Sequence, residues 1–154
     1  MGERIIKLRM LGCVLFVLGL AGCGHSREID MAAGRKLSDA FMADWIAHRS
    51  DSALDKMEPA FIAMINRSDF APQLEKLSNY CGWPLDSELK DIQSGFKIYT
   101  DGHKNPTRKF IYAATTTQFP KGQCYFSVEI VPSGDTLKVT SFGPLKVTSG
   151  NPYP

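Results

Sequence analysis

An apolar run that stops too soon sets the terms for everything after it. Residues 11–20 are apolar over about ten positions and follow a basic stretch holding Arg4, Lys7 and Arg9. This is the charge and length pattern of a secretory signal, and about half of the roughly twenty residues needed to span a bilayer. The small pair Ala21–Gly22 follows and presents Cys23 where a signal peptidase would cut. The expected organisation is a signal over 1–22 that is removed, a tether over 23–34 and one folded domain over 35–154.

The four residues Leu20-Ala21-Gly22-Cys23 resemble the lipobox of bacterial lipoproteins at every position. The resemblance implies diacylglycerol on the Cys23 thiol, cleavage between Gly22 and Cys23, and acylation of the new amino group. Two or three acyl chains hold a protein stably where one binds only marginally, at about 0.8 kcal/mol per buried methylene. It also implies a cell-envelope location. Gly24 follows the cysteine in place of the aspartate of an inner-membrane retention signal, which in a Gram-negative host points to the outer membrane, facing the periplasm. The alternative is an ordinary secretory signal or an N-terminal membrane anchor with Cys23 as a bystander.

Removing Arg4, Lys7 and Arg9 from the 18 Lys and Arg, and Glu3 from the 16 Asp and Glu, leaves a formally neutral chain. The basic excess therefore belongs to the targeting segment, and the remainder lacks the basic footprint of a nucleic-acid binder. With Cys13 lost and Cys23 modified, Cys81 and Cys124 remain as a pair outside the cytoplasm, where a disulfide is the natural expectation. A bridge of this span stabilises by about 4 kcal/mol on the chain-entropy view. Two buried free thiols are the alternative.

Residues 24–34 lack an apolar period and read as the tether. From Arg35 the pattern is helical, with Leu37, Phe41, Trp45 and His48 on one face. Ser50 or Asp51 is suited to cap a second helix bearing Leu54, Met57, Phe61 and Ile65, which Pro59 should kink or restart. A third helix is capped by Ser68-Asp69, accepts Pro72 in its first turn, lines up Phe70, Leu74, Leu77 and Cys81, and ends at Gly82. Trp83-Pro84 opens a connector.

Strands are expected over 96–100, 108–119, 124–131 and 136–142, separated by turn residues, with a further short strand fitting 145–148. Phe110, Tyr112 and Ala114 alternate with Lys109, Ile111 and Ala113 in the second. Cys124, Phe126, Val128 and Ile130 define an apolar face in the third. Helices followed by an antiparallel meander make an α+β domain, about three helices on a four-stranded sheet. This order, with inward aromatics and an ending Val139-Thr-Ser-Phe-Gly-Pro-Leu, resembles the cone-shaped fold of nuclear-transport-factor-two-like and cystatin-like proteins, including small envelope lipoproteins. The resemblance implies a curved sheet wrapped around the helices. A flat α+β sandwich is the alternative.

Enzymes on cone-shaped folds that resemble ketosteroid isomerase place a carboxylate base and phenolic donors in an apolar cavity. Asp44, beside Trp45, and Tyr112 are the candidates that match those roles. One position off the apolar line, Asp44 is more simply expected on a solvated helix face or bonded to the sheet, and a tyrosine to pack its ring. His25, His48 and His103 have no ligand spacing, so neither a metal nor a cofactor is expected. Lys104, Arg108 and Lys109 surround the first hairpin, as a solvated tip or as a contact for anionic headgroups or an acidic partner. The favoured reading is a non-enzymatic, lipid-anchored module that binds another envelope protein or a small apolar ligand. A small isomerase- or hydrolase-like enzyme and a structural surface protein are the competing classes.

Overall fold

The computed structural model describes residues 28–119 and 124–145. Four helices, α1 (Met31–Ile46), α2 (Ser50–Leu54), α3 (Pro59–Ile62) and α4 (Arg67–Ser78), precede four strands, β1 (Pro84–Ile98), β2 (Lys104–Thr116), β3 (Cys124–Ser133) and β4 (Thr136–Leu145). The strands form one antiparallel sheet in the order β1-β2-β3-β4, so the domain is α+β. Among the described residues no helix is long and apolar enough to cross a membrane.

Helix α1 starts at Met31, inside the stretch whose composition reads as tether. The Asp30 carboxylate accepts from the Ala32 and Ala33 amides at 2.8 and 3.1 Å, satisfying two orphan donors of the first turn. Ile29 is buried, and Gly34 lies so close to β2 that a Cβ there would stand 3.1 Å from the Phe110 ring. The missing side chain at Gly34 thus lets helix and sheet approach. At the other end the His48 amide donates to the Trp45 carbonyl at 3.0 Å and the Arg49 amide to the Asp44 carbonyl at 2.8 Å, with His48 left-handed at φ 58°. This is the Schellman termination, with histidine where glycine is usual. His48 accordingly leaves the apolar face assigned to it by spacing and stacks on Trp83, ring centroids 4.0 Å apart.

Pro59 divides the second helical stretch into two, as its missing amide requires, and sits at the first position of α3. Neither Ser50 nor Asp51 caps α2, whose N-cap is Arg49; Asp51 instead receives Arg67 at 3.0 Å. The link between α2 and α3 runs alongside β4, the Val139 amide donating to the Lys56 carbonyl and the Glu58 amide to the Val139 carbonyl. Helix α4 begins at Arg67, so Pro72 lies in its interior and not in the first turn. Gly82, at φ 84°, turns the chain out of α4 with its amide on the Ser78 carbonyl.

The main departure from the sequence pattern is β1, which begins at Pro84 and not near Phe96. Residues 85–95 carry seven polar or charged side chains at an edge where one or both faces meet water, and the hydrophobic alternation that marks a strand is weak there. The predicted faces of β2 and β3 are as expected: Phe110, Tyr112, Ala114, Cys124, Phe126, Val128 and Ile130 are all buried and pack with Phe41, Trp45, Leu54, Met57, Phe70 and Leu74. Phe142 of β4 gathers the rings of Phe41, Trp45, Phe61 and Phe70, with centroids 5.0 to 6.3 Å away. The fourth strand reaches Leu145, and residues 146–148 lie outside the described residues.

Candidate functional site

Cys81 and Cys124 stand at disulfide distance, their Cα atoms 6.1 Å apart across 43 residues of sequence. Cys81 lies in the turn after α4, just beyond the helix end to which its spacing assigned it, and Cys124 opens β3. The Cys81 carbonyl accepts from the Thr116 hydroxyl, and Trp83 and Thr117 exchange two hydrogen bonds of 3.0 Å. This junction therefore locks the helical layer to the same end of β2 and β3. Gly22, Cys23 and His25 lie outside the described residues.

Asp44 is neither solvated nor bonded to the sheet. Only 4% exposed, it accepts from Arg49 Nε at 2.8 Å, Ser52 Oγ at 2.6 Å and Lys56 Nζ, so that its carboxylate clamps α2 against the end of α1. Burial pushes this carboxyl up, but the hydrogen bonds from Lys56, Ser52 and Arg49 outweigh it and hold it below the ordinary 3.8. A group so held is an anion at neutral pH with its acceptor sites occupied. Asp44→Ala is expected to destabilise by roughly 2–4 kcal/mol, below the fully buried case because the Arg49 side chain is 58% exposed. Since the folded value is lowered, this contribution is present above the unfolded value and is lost as pH falls through the folded one. Urea titrations of wild type and Asp44→Asn should thus differ at neutral pH and converge in strong acid; a gap independent of pH would contradict the clamp.

Tyr112 meets different partners near the middle of α1. Its hydroxyl donates to Asp39 Oδ1 at 2.8 Å and lies 2.6 Å from Ser38 Oγ, with Ser38 fully buried. Burial, reinforced by the Asp39 acceptor and only partly opposed by Ser38, drives the phenol well above its usual range. Asp44 and Tyr112 share no partner and line none of the surface hollows described next.

A polar group not anticipated from sequence gathers where a side chain of β1 reaches β4. Lys97 Nζ donates to Glu58 Oε1 and to Thr140 Oγ1, the latter at 2.6 Å, and stands 4.9 Å from the Tyr99 ring centroid. Burial lowers the Lys97 ammonium, and the nearby Glu129 carboxylate opposes the change. Glu129 in turn accepts from Thr107 at 2.7 Å and Ser141 at 2.9 Å. Lys97, Glu58 and Thr140 are separated by about forty residues on either side, so no local spacing could have joined them.

An open hollow of about 470 Å³ lies between α1 and the β3–β4 turn, lined by Ala33, Lys36, Leu37, Ala40, Thr136 and Leu137. Beside it a smaller one of about 210 Å³ is bordered by Glu28, Asp30 and Pro132. Among the described residues no three His, Cys, Asp or Glu side chains are grouped to hold a metal ion. No known protein family, curated protein or solved structure matches this chain.

Proposed function

We propose that this chain is a lipid-anchored envelope protein whose domain is a non-enzymatic binding or adaptor module. The observation that carries this reading is the short step from Cys23 to the domain: Ile29 is already buried and Asp30 already caps α1, so a lipid on Cys23 would hold a folded body close to the bilayer. The cysteine pair at disulfide distance supports an oxidising compartment. The buried polar groups Asp44, Glu58 and Tyr112 each have internal partners, which favours a scaffold over a reaction centre. The finer, cone-like reading of the sheet draws support from the bulges in β1 and at Glu129–Ile130 and from the reach of Lys97 to Thr140. The exposed Tyr80 and Leu85, at the end of the sheet away from α1's start, are available to a protein partner.

Intact mass of the full chain recovered from bacterial membranes tests the anchor. The expected mass is that of residues 23–154 plus diacylglycerol and one acyl chain, and Cys23→Ser should lose both the lipid and the cleavage. A Cys23→Ser protein with unchanged mass and membrane partition would overturn the proposal. Crosslinking in cells from position 85 should give a discrete adduct if the domain is an adaptor.

A further inference from the structure

Two turns and the start of a helix converge on one end of the sheet. In the antiparallel register, the β1–β2 turn and the β3–β4 turn lie at the same end, since Arg108 pairs with Ile130 and both strands continue from there toward their turns. The start of α1 lies there too, because Glu28, Asp30 and Ala33 border the same hollow as Pro132, Gly134 and Thr136. The far end of α1 is fixed at the opposite end of the sheet, where Trp83 Nε1 donates to the Ile46 carbonyl.

At the tether end, the β1–β2 hairpin exposes large apolar side chains that the fold does not use. Phe96 is 73% exposed and Ile98 65%. Directly paired residues share a face, and the pairs here are Ser94 with Arg108, Phe96 with Pro106 and Ile98 with Lys104. That face therefore joins two apolar anchors and a proline to two cations, with no carboxylate among the six. The carboxylates of this end lie beside it: Asp101 in the turn bonded to His103, Glu28 and Asp30 at the start of α1, Asp135 in the other turn, and Glu58, held by Lys97 from the alternate positions of β1.

We propose that this end of the domain rests on the phospholipid bilayer, with Phe96 and Ile98 in the boundary between headgroups and acyl chains and Lys104 and Arg108 against anionic headgroups. The proposal builds on the lipid-anchor reading. Four residues, and so five Cα-to-Cα steps, separate Cys23 from Glu28 and reach at most roughly 17 Å when extended, so an acylated Cys23 brings this end, and not the one bearing Tyr80 and Leu85, to the surface. Apolar side chains ringed by Lys and Arg are the side-chain set that partitions into such an interface. The neighbouring carboxylates limit the preference for anionic over neutral lipid to several-fold.

The test uses the full lipidated chain, purified from membranes and reconstituted into phosphatidylcholine vesicles with or without phosphatidylglycerol. A nitroxide is attached at Thr100→Cys, next to the apolar pair, or at Met64→Cys, which is 80% exposed elsewhere on the domain. Position 100 should be more accessible to oxygen and less to a water-soluble nickel complex than position 64. Phe96→Ser with Ile98→Ser should abolish that difference while leaving the melting temperature unchanged, since both side chains are exposed. Equal nickel access at the two positions in chains that still float with the vesicles would overturn the hairpin contact and leave the anchor standing. Chains with no lipid mass that fail to float would defeat the anchor, and the contact with it. Water exposure in vesicles combined with a crosslink from position 100 to a protein in cells would assign the face to a protein partner instead.

Discussion

Trp45→Ala is expected to cost about 4 kcal/mol, more than any other single truncation in this domain. The indole is fully buried and meets Phe126 edge-on at 5.1 Å, Phe142 at 5.5 Å and Phe41 at 6.4 Å. It joins α1 to β3 and β4 at once, so the surrounding elements cannot collapse into the space it leaves without separating from one another. Its Nε1 is buried without an acceptor among the described residues, a standing penalty of about 1–3 kcal/mol that the native packing overcomes. Trp45→Phe should therefore be far milder than alanine, since the lost ring volume is offset by removal of that unpaired donor. Equilibrium denaturation of the two variants checks both statements. Near-equal losses would mean that the indole's nitrogen is satisfied in solution or that the site relaxes.

The double change Cys81→Ala with Cys124→Ala is expected to destabilise by about 4 kcal/mol, the entropy returned to the unfolded chain when the 43-residue link is opened. Cys124 is 1% exposed and belongs to the core, so alanine there also removes buried sulfur. A comparison of wild type with and without reductant separates the two effects, because reduction opens the bridge without changing the packing atoms. Unreduced, denatured wild type recovered from an oxidising compartment should show no free thiol from this pair. Two free thiols, or stability indifferent to reductant, would remove the crosslink from the account.

Much of the fold could be read directly because one face of β2 and β3 is apolar along its length, even though Ile111, Ser127 and Val131 of the other face are buried as well. Residues 110, 112 and 114, and 124, 126, 128 and 130, alternate strictly, and every one of them is buried. The helical faces of Phe41 with Trp45 and of Phe70 with Leu74 were equally clear. Where a segment lies at an edge the signal fades, and so the first dozen residues of β1 read as connector. Local charge misleads in the same way: Asp44 has the sequence neighbours of a solvent-facing residue, yet Arg49, Ser52 and Lys56 fold back over it because α1 ends in a left-handed turn at His48.

The sequence by itself determined the element order, the apolar faces that meet in the core, the two cysteines that match, and the expectation of a cleaved and acylated N-terminus. The order and the faces follow from periodicity, which reports interactions within a few residues; the cysteine match follows from which thiols are left outside the cytoplasm, and the acylated N-terminus is what the resemblance to a lipobox implies. Only the tertiary structure decided that Asp44 is a clamp, that Lys97 meets Glu58 and Thr140, and that the start of α1 shares an end of the sheet with the exposed Phe96 and Ile98. Each of these depends on residues far apart in the chain brought together by register and by the direction in which a helix leaves its cap, and no local pattern encodes that geometry.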